Sequence, residues 1–197
     1  MSRRDELAAN LAAVQARISN PDVNLIVVTK TYPVSDVQIL RDLGVTQFGE
    51  NRNEEGLEKS SAVDATWHYQ GEIQSRKLRD IAQWADVIHS LDTASHIAKL
   101  DSVATSEIDI FLQLSLDGDP SRGGVIESDL FALADAALAS SHLNLMGLMC
   151  VPPVAQDPRA AFTEIAAIHR RFIARYPAAI SLSAGMSGDF EIAVDCG

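Results

Sequence analysis

The residue of this chain best suited to covalent chemistry is Lys30, near the end of the run Asn24-Leu-Ile-Val-Val-Thr-Lys30-Thr-Tyr-Pro33. Leu25 to Thr29 are apolar or β-branched, and together long enough for a strand buried on both faces. Pro33 closes that strand and opens a turn. Desolvation where a buried strand runs out favours the neutral amine, and a neutral amine attacks carbonyl carbons. The plainer alternative is that Lys30 emerges at the strand end and its flexible stem carries the charge to water.

A second stretch with chemical potential is Ser183-Ala-Gly-Met-Ser187-Gly188, a hydroxyl-rich, flexible turn leading directly into a helix. Free N–H groups at a helix start, with the macrodipole, attract a phosphate. Ser187 equally suits a plain helix cap. A lysine after the first strand and a phosphate cup after the last point to one kind of ligand, a carbonyl compound carrying a phosphate at its far end. Pyridoxal phosphate has that form, and so does the sugar phosphate of a Schiff-base aldolase.

Other candidates are weaker. His68 lies in a strand between Trp67 and Tyr69, and it and His89 read as satisfied interior residues. Neither has a His-x-x-x-His partner or a cysteine cluster, so no metal site is assigned. Asp117, Asp119 and Arg122 read as a solvated surface turn. No Gly-x-Ser-x-Gly elbow, P-loop or Gly-x-Gly-x-x-Gly after the first strand occurs.

The elements that must position these groups alternate. A helix is expected over residues 3 to 19, with Leu7, Leu11, Val14 and Ile18 on one face. Strands are expected at Leu25–Thr29, Val45–Phe48, Thr66–Gly71, Asp86–Ser90, Ile108–Leu116, Leu143–Met149 and Ala179–Ser183. Helices follow them: Val34–Leu43 with Ser35 as N-cap, a polar helix to about Ser61, Lys77–Trp84, one from near Thr93, Glu127–Ala139, one carrying Phe162, Ile165, Phe172 and Ile173, and one from Gly188. Repeated β-then-α units predict a parallel sheet with helical crossovers. About seven units plus a leading helix favour a TIM-type barrel, in which chemistry sits on the loops after the strands. Lys30, Glu50-Asn51, His68 with Gly71, His89-Ser90, Met149 and Ser183–Ser187 then share one face.

The chain has 197 residues, 47% of them hydrophobic and 22% charged, which suits a single domain over 1–197. A formal charge of -11 argues against a general nucleic-acid binder. Two cysteines, Cys150 and Cys196, provide no disulfide framework and fit a reducing cytoplasm. The N-terminus lacks the apolar region of a signal peptide, and no apolar run reaches membrane-spanning length.

Several motifs occurring in order resemble one family across essentially the whole chain. They are Thr29-Lys30 with Pro33, Phe48-Gly-Glu-Asn-Arg52, Trp67-His-Tyr-Gln-Gly71, Gln74-Ser-Arg-Lys77, Ile88-His-Ser-Leu-Asp92, Gly147-Leu-Met149 and Gly185-Met-Ser-Gly-Asp189. Together they resemble the pyridoxal-phosphate homeostasis proteins, single-domain relatives of the alanine racemase N-terminal barrel. The resemblance implies a modified TIM (β/α)8-type barrel with an extra N-terminal helix. It implies pyridoxal 5'-phosphate as a Schiff base on Lys30, with Asn51 near the cofactor and Ser183, Gly185, Met186 and Ser187 at its phosphate. Ala184 and Arg76 stand where the family usually has methionine and asparagine. The family also continues with a Val-Arg-Ile-Gly strand and a final helix, so the last β/α unit is expected to be absent from this chain.

The function implied is a non-catalytic cofactor carrier or buffer in vitamin B6 homeostasis, passing cofactor to apo-enzymes, cytoplasmic and monomeric. An amino-acid racemase of the alanine-racemase type is the alternative. That chemistry needs acid/base groups on both faces of the ring, the second supplied in racemases by an additional domain. A Schiff-base aldolase is a further alternative, although its lysine usually lies on a later strand.

Overall fold

The computed structural model describes residues 2–197. The chain begins with α1 (Arg3–Gln15), then β1 (Val27–Val28), α2 (Val34–Asp42), β2 (Gln47–Glu50), α3 (Asn53–Ala62) and β3 (Thr66–Tyr69). A 3-10 turn (Ser75–Lys77) leads into α4 (Leu78–Ile81), followed by β4 (Val87–Leu91), α5 (Ala94–Val103) and β5 (Ile108–Leu114). The remainder is α6 (Glu127–Leu138), β6 (Leu143–Cys150), α7 (Pro158–Arg175), β7 (Ser181–Ser183) and α8 (Phe190–Cys196).

All seven strands form one parallel sheet in the order of the chain, β1 through β7. Every crossover therefore runs in the same direction, whereas a doubly wound sheet would reverse its order partway. The sheet curls into a half-barrel. Its main apolar core lies between the strands and the outer helices, built from residues such as Phe48, Trp67, Ile88, Leu112, Leu148 and Phe172. A second, small cluster of Val87, Phe111 and Met149, with Met146 against it, lies apart from that core. Alternation explains the pairing of faces: Trp67 and Tyr69 join the main core, and His68 between them points the other way.

Several local expectations change. The first strand was expected over Leu25–Thr29, buried on both faces, but only Val27–Val28 is regular, and Val28 is 43% exposed. The cause is position: β1 pairs with β2 alone, so one side of it faces no strand. Lys30 is itself exposed rather than sheltered. The N-cap of α2 is Pro33, not Ser35, and α1 stops at Gln15 rather than residue 19. The helix expected over Lys77–Trp84 is one 3-10 turn and one α turn, because Gln83 and Trp84 bond three residues back. Trp84 then turns inward and donates from Nε1 to Asn53 Oδ1 at 3.0 Å.

The pairing of β6 with β5 slips by one residue at Met146, a bulge that precedes Gly147. Gly147 has φ +152°, and a Cβ there would lie 1.8 Å from the Ser181 carbonyl oxygen on β7. Only glycine lets β7 approach closely enough to pair. Gly147→Ala is therefore expected to cost about 2–3 kcal/mol in urea unfolding. Hydrogen-exchange protection should be lost first at Ser181–Ser183, because β7 is the strand displaced.

Candidate functional site

Lys30 projects from a short segment held on both sides. Thr29 is buried, and its Oγ1 donates to Glu50 Oε1 at 2.6 Å. The Lys59 ammonium, 2% exposed, donates to Thr29 O at 2.7 Å, Glu50 Oε1 at 2.6 Å and Glu55 Oε2 at 3.2 Å. Glu55 Oε2 also accepts the Thr31 N–H at 2.7 Å, and Thr31 holds φ +69°, an uncommon conformation for a β-branched residue. That amide, followed by Lys59, holds the Glu55 carboxyl below the usual range. Glu55 and Lys59 stand one turn apart on α3, with the acid first, the favourable orientation. The backbone before and after Lys30 is thus tied to one buried charge cluster.

Along the inside of the curl runs a second network, Gln47–His68–His89–Ser183. His68 Nε2 meets Gln47 Oε1 at 2.6 Å, His68 Nδ1 meets His89 Nε2 at 2.8 Å, and His89 Nδ1 meets Ser183 Oγ at 2.8 Å. The groups come from β2, β3, β4 and β7. The His89 ring stacks on Phe111, with centroids 4.6 Å apart and planes 14° apart. Burial pushes His68 down to about 4, and burial with the neighbouring His68 pushes His89 down to about 3. Both rings are neutral at physiological pH. The reading of His68 and His89 as satisfied interior residues stands, and their connection to Ser183 adds a role that reading missed.

The turn after β7 has glycine where it needs one. Gly185 takes φ +84°, and a Cβ there would meet Phe190 Cα at 2.9 Å. The Met186 N–H donates to Asp189 Oδ1 at 2.6 Å. Ser187 does not cap the following helix: α8 starts at Phe190 with Asp189 in the cap position. Asp189 thus takes up one of the amides expected to be free for an anion.

These parts open on one cleft of about 1600 Å³. Lys30, Asn51, Ser183, Gly185, Met186 and Ser187 all line it, together with Gln47, His68, His89 and Phe111. Residues of α1 close one flank, and Arg17 just beyond it makes a two-pronged bond to Glu191 on α8 at 3.1 and 2.6 Å. Of the four lysines in the sequence, only Lys30 lines the cleft. Its amine has no hydrogen-bond or ion-pair partner among the described residues, whereas Lys59 and Lys77 are paired. No cluster of metal-ligating side chains occurs among the described residues. Both cysteines are free, and no helix among the described residues is long and apolar enough to cross a membrane.

Two outcomes follow from these networks. Lys59→Met leaves Glu50, fully buried, without its counter-charge and should lower stability by about 3–5 kcal/mol in urea unfolding. Combining it with Glu50→Leu should restore much of that loss, since removing both charges removes the unpaired one. The second outcome concerns acid. Below 6.5 the unfolded chain protonates His68 and His89, whereas the folded chain resists until about 4 and about 3. Unfolding in that window takes up protons, so stability should fall as pH falls from 6.5 towards 4, by up to about 1.4 kcal/mol per pH unit for each ring. Denaturation midpoints measured at intervals across the window test this, and a flat profile would contradict it.

Residues 3–195 match the alanine racemase N-terminal domain. The pyridoxal phosphate homeostasis protein of Corynebacterium glutamicum is 40% identical over 186 residues, covering 89% of this chain and 84% of that protein. The protein of the same name from Mycobacterium leprae is 36% identical, covering 99% of this chain and 89% of its own length. Among solved structures, PipY of Synechococcus elongatus with pyridoxal phosphate bound superimposes with a TM-score of 0.87 at 29% identity, covering 97% of this chain and 94% of that one. An alanine racemase of Clostridium difficile shares the fold alone, with a TM-score of 0.71 at 14% identity over 91% of this chain and 49% of the racemase. With a matched domain spanning nearly its whole length and close sequence relatives across it, the chain belongs to the pyridoxal phosphate homeostasis protein family, built on the alanine racemase N-terminal fold.

Proposed function

We propose that this protein binds pyridoxal 5'-phosphate as a Schiff base on Lys30 and holds it in reserve for the cell, rather than turning over a substrate of its own. The observation that carries the reading is the isolation of Lys30: it is the one lysine on the cleft, unpaired, facing the cavity that Ser183, Gly185, Met186 and Ser187 also line. The names of the curated relatives and the pyridoxal-phosphate-bound structure of PipY support the identity of the ligand. The donor set fits the group. An amine without a competing acceptor suits the aldehyde, and a hydroxyl beside a positive-φ glycine suits the phosphate. Asn51 is assigned to the same pocket.

When bound, the cofactor supplies an electrophilic carbon conjugated to an electron-withdrawing ring. This chain's own residues do the rest. The Lys59–Glu50–Glu55 cluster fixes the backbone on both sides of Lys30. His89, stacked on Phe111, orients Ser183. A racemase needs a proton donor on each face of the ring. His68 and His89 are neutral and bonded to one another, so neither is free to serve as the second donor. In this reading α1 is a leading helix added to a (β/α)8 plan. Delivery to enzymes that lack their cofactor, a cytoplasmic location and a monomeric state complete the proposal.

The protein incubated with pyridoxal phosphate should turn yellow, and borohydride should fix the label on the peptide containing Lys30. Lys30→Ala should lose the covalent label while keeping weak phosphate-driven binding. Label on Lys77 or Lys99 would overturn the assignment. Racemisation of L-alanine well above that of free cofactor, by chiral analysis, would overturn the carrier reading.

A further inference from the structure

The Gln47–His68–His89–Ser183 network has an unusual symmetry. Its two ends, an amide and a hydroxyl, can each donate or accept, and its two middle members are neutral imidazoles with one proton each. Only two proton arrangements therefore satisfy all three bonds. In one, Gln47 Oε1 accepts from His68 Nε2–H, His68 Nδ1 accepts from His89 Nε2–H, and His89 Nδ1 accepts the Ser183 hydroxyl proton. Ser183 then offers the cleft only lone pairs. In the other, every bond reverses: the Gln47 amide turns over, both rings carry their proton on Nδ1, and the Ser183 proton points into the cleft.

An anionic oxygen in the cup accepts hydrogen bonds and repels lone pairs, so it stabilises the second arrangement. The hydroxyl matters more here because Asp189 already occupies the Met186 N–H. Stacking on Phe111 restrains the His89 ring from turning over, so reversal proceeds by exchange of tautomers. Gln47 is only half-buried, so its amide is in reach of water. Both arrangements hold one proton on each imidazole and one on the hydroxyl. On reversal one proton leaves to water at the Gln47 end as another arrives from water at the Ser183 end, so the network keeps its net charge while one proton is relayed along it.

We infer that Gln47, His68, His89 and Ser183 form a reversible hydrogen-bond wire whose polarity is set by the anion in the cup. His68, His89 and Gln47 are positioning residues for a phosphate-bearing ligand. This deepens the proposed function and rests on it for the identity of that ligand.

The test is two-bond 1H–15N spectroscopy of the full chain labelled at histidine, at neutral pH. Four samples are compared: the protein alone, with saturating inorganic phosphate, with pyridoxal phosphate, and with pyridoxal, which lacks the phosphate. The expected result is Nε2–H on both rings in the free protein and in the pyridoxal sample, and Nδ1–H on both with either phosphate. Ser183→Ala should abolish the swap and weaken pyridoxal phosphate about tenfold, leaving pyridoxal unaffected. Pyridoxal phosphate seen by absorbance to occupy Lys30, with tautomers unchanged from the free protein, overturns the wire and leaves the proposed function intact. Two rings differing in tautomer within one sample, or a swap that persists in Ser183→Ala, also overturn it. A swap with inorganic phosphate but no absorbance change with pyridoxal phosphate supports the wire and defeats the proposed function instead.

Discussion

The ammonium of Lys59 is the contact on which the entrance to the cleft depends. It is buried, and it donates to a backbone carbonyl and two carboxylates at once. Desolvating a charge is costly, and here the cost is offset by three charge-assisted or carbonyl bonds converging on one nitrogen. Two of its acceptors hold Thr29 and Thr31 through further bonds, so the cluster sets where β1 ends and how the chain leaves it. One Glu50 oxygen, Oε2, remains buried without a protein partner.

The strand order makes this local arrangement useful. Each strand is added beside its predecessor, so the curl brings the first and last strands towards a common cavity although they lie at opposite edges of the sheet. Interiors of closed barrels are filled with layers of branched apolar side chains. Here the small apolar group of Val87, Phe111 and Met149 adjoins a polar layer that crosses the curl from Gln47 to Ser183. That layer satisfies its own polar atoms through internal hydrogen bonds.

The alternation of elements was legible because each strand is a short apolar run and each helix is punctuated by Gly, Pro or a capping residue. The first strand misled, since an apolar run does not reveal how many neighbours it will have; Leu25 to Val28 are only partly covered at a sheet edge. Lys59 falls in the stretch expected as a polar helix to about Ser61, and burial of one of its lysines is not signalled by composition, because lysines are seldom buried. The available signal was its spacing from Glu55 on the helix following Glu50. The histidine network could not be read from sequence: its members are separated by 21, 21 and 94 residues, and only strand register and curl align them. The Ser183–Ser187 turn was visible as a composition, but the carboxylate of Asp189 folding back onto Met186 was not.

Arg17 and Glu191 lie 174 positions apart, and their non-covalent bridge closes a loop that contains nearly the whole chain. Arg17 also rests over the Phe190 ring at 4.8 Å. Closing so long a loop costs entropy, and the contact offsets that cost only where the intervening units already hold its two ends together. Exposed ion pairs and cation–π contacts are each worth about 1 kcal/mol or less, far below the stability of a whole domain. The clasp on the flank of the cleft is therefore a contact whose loss leaves the sheet intact.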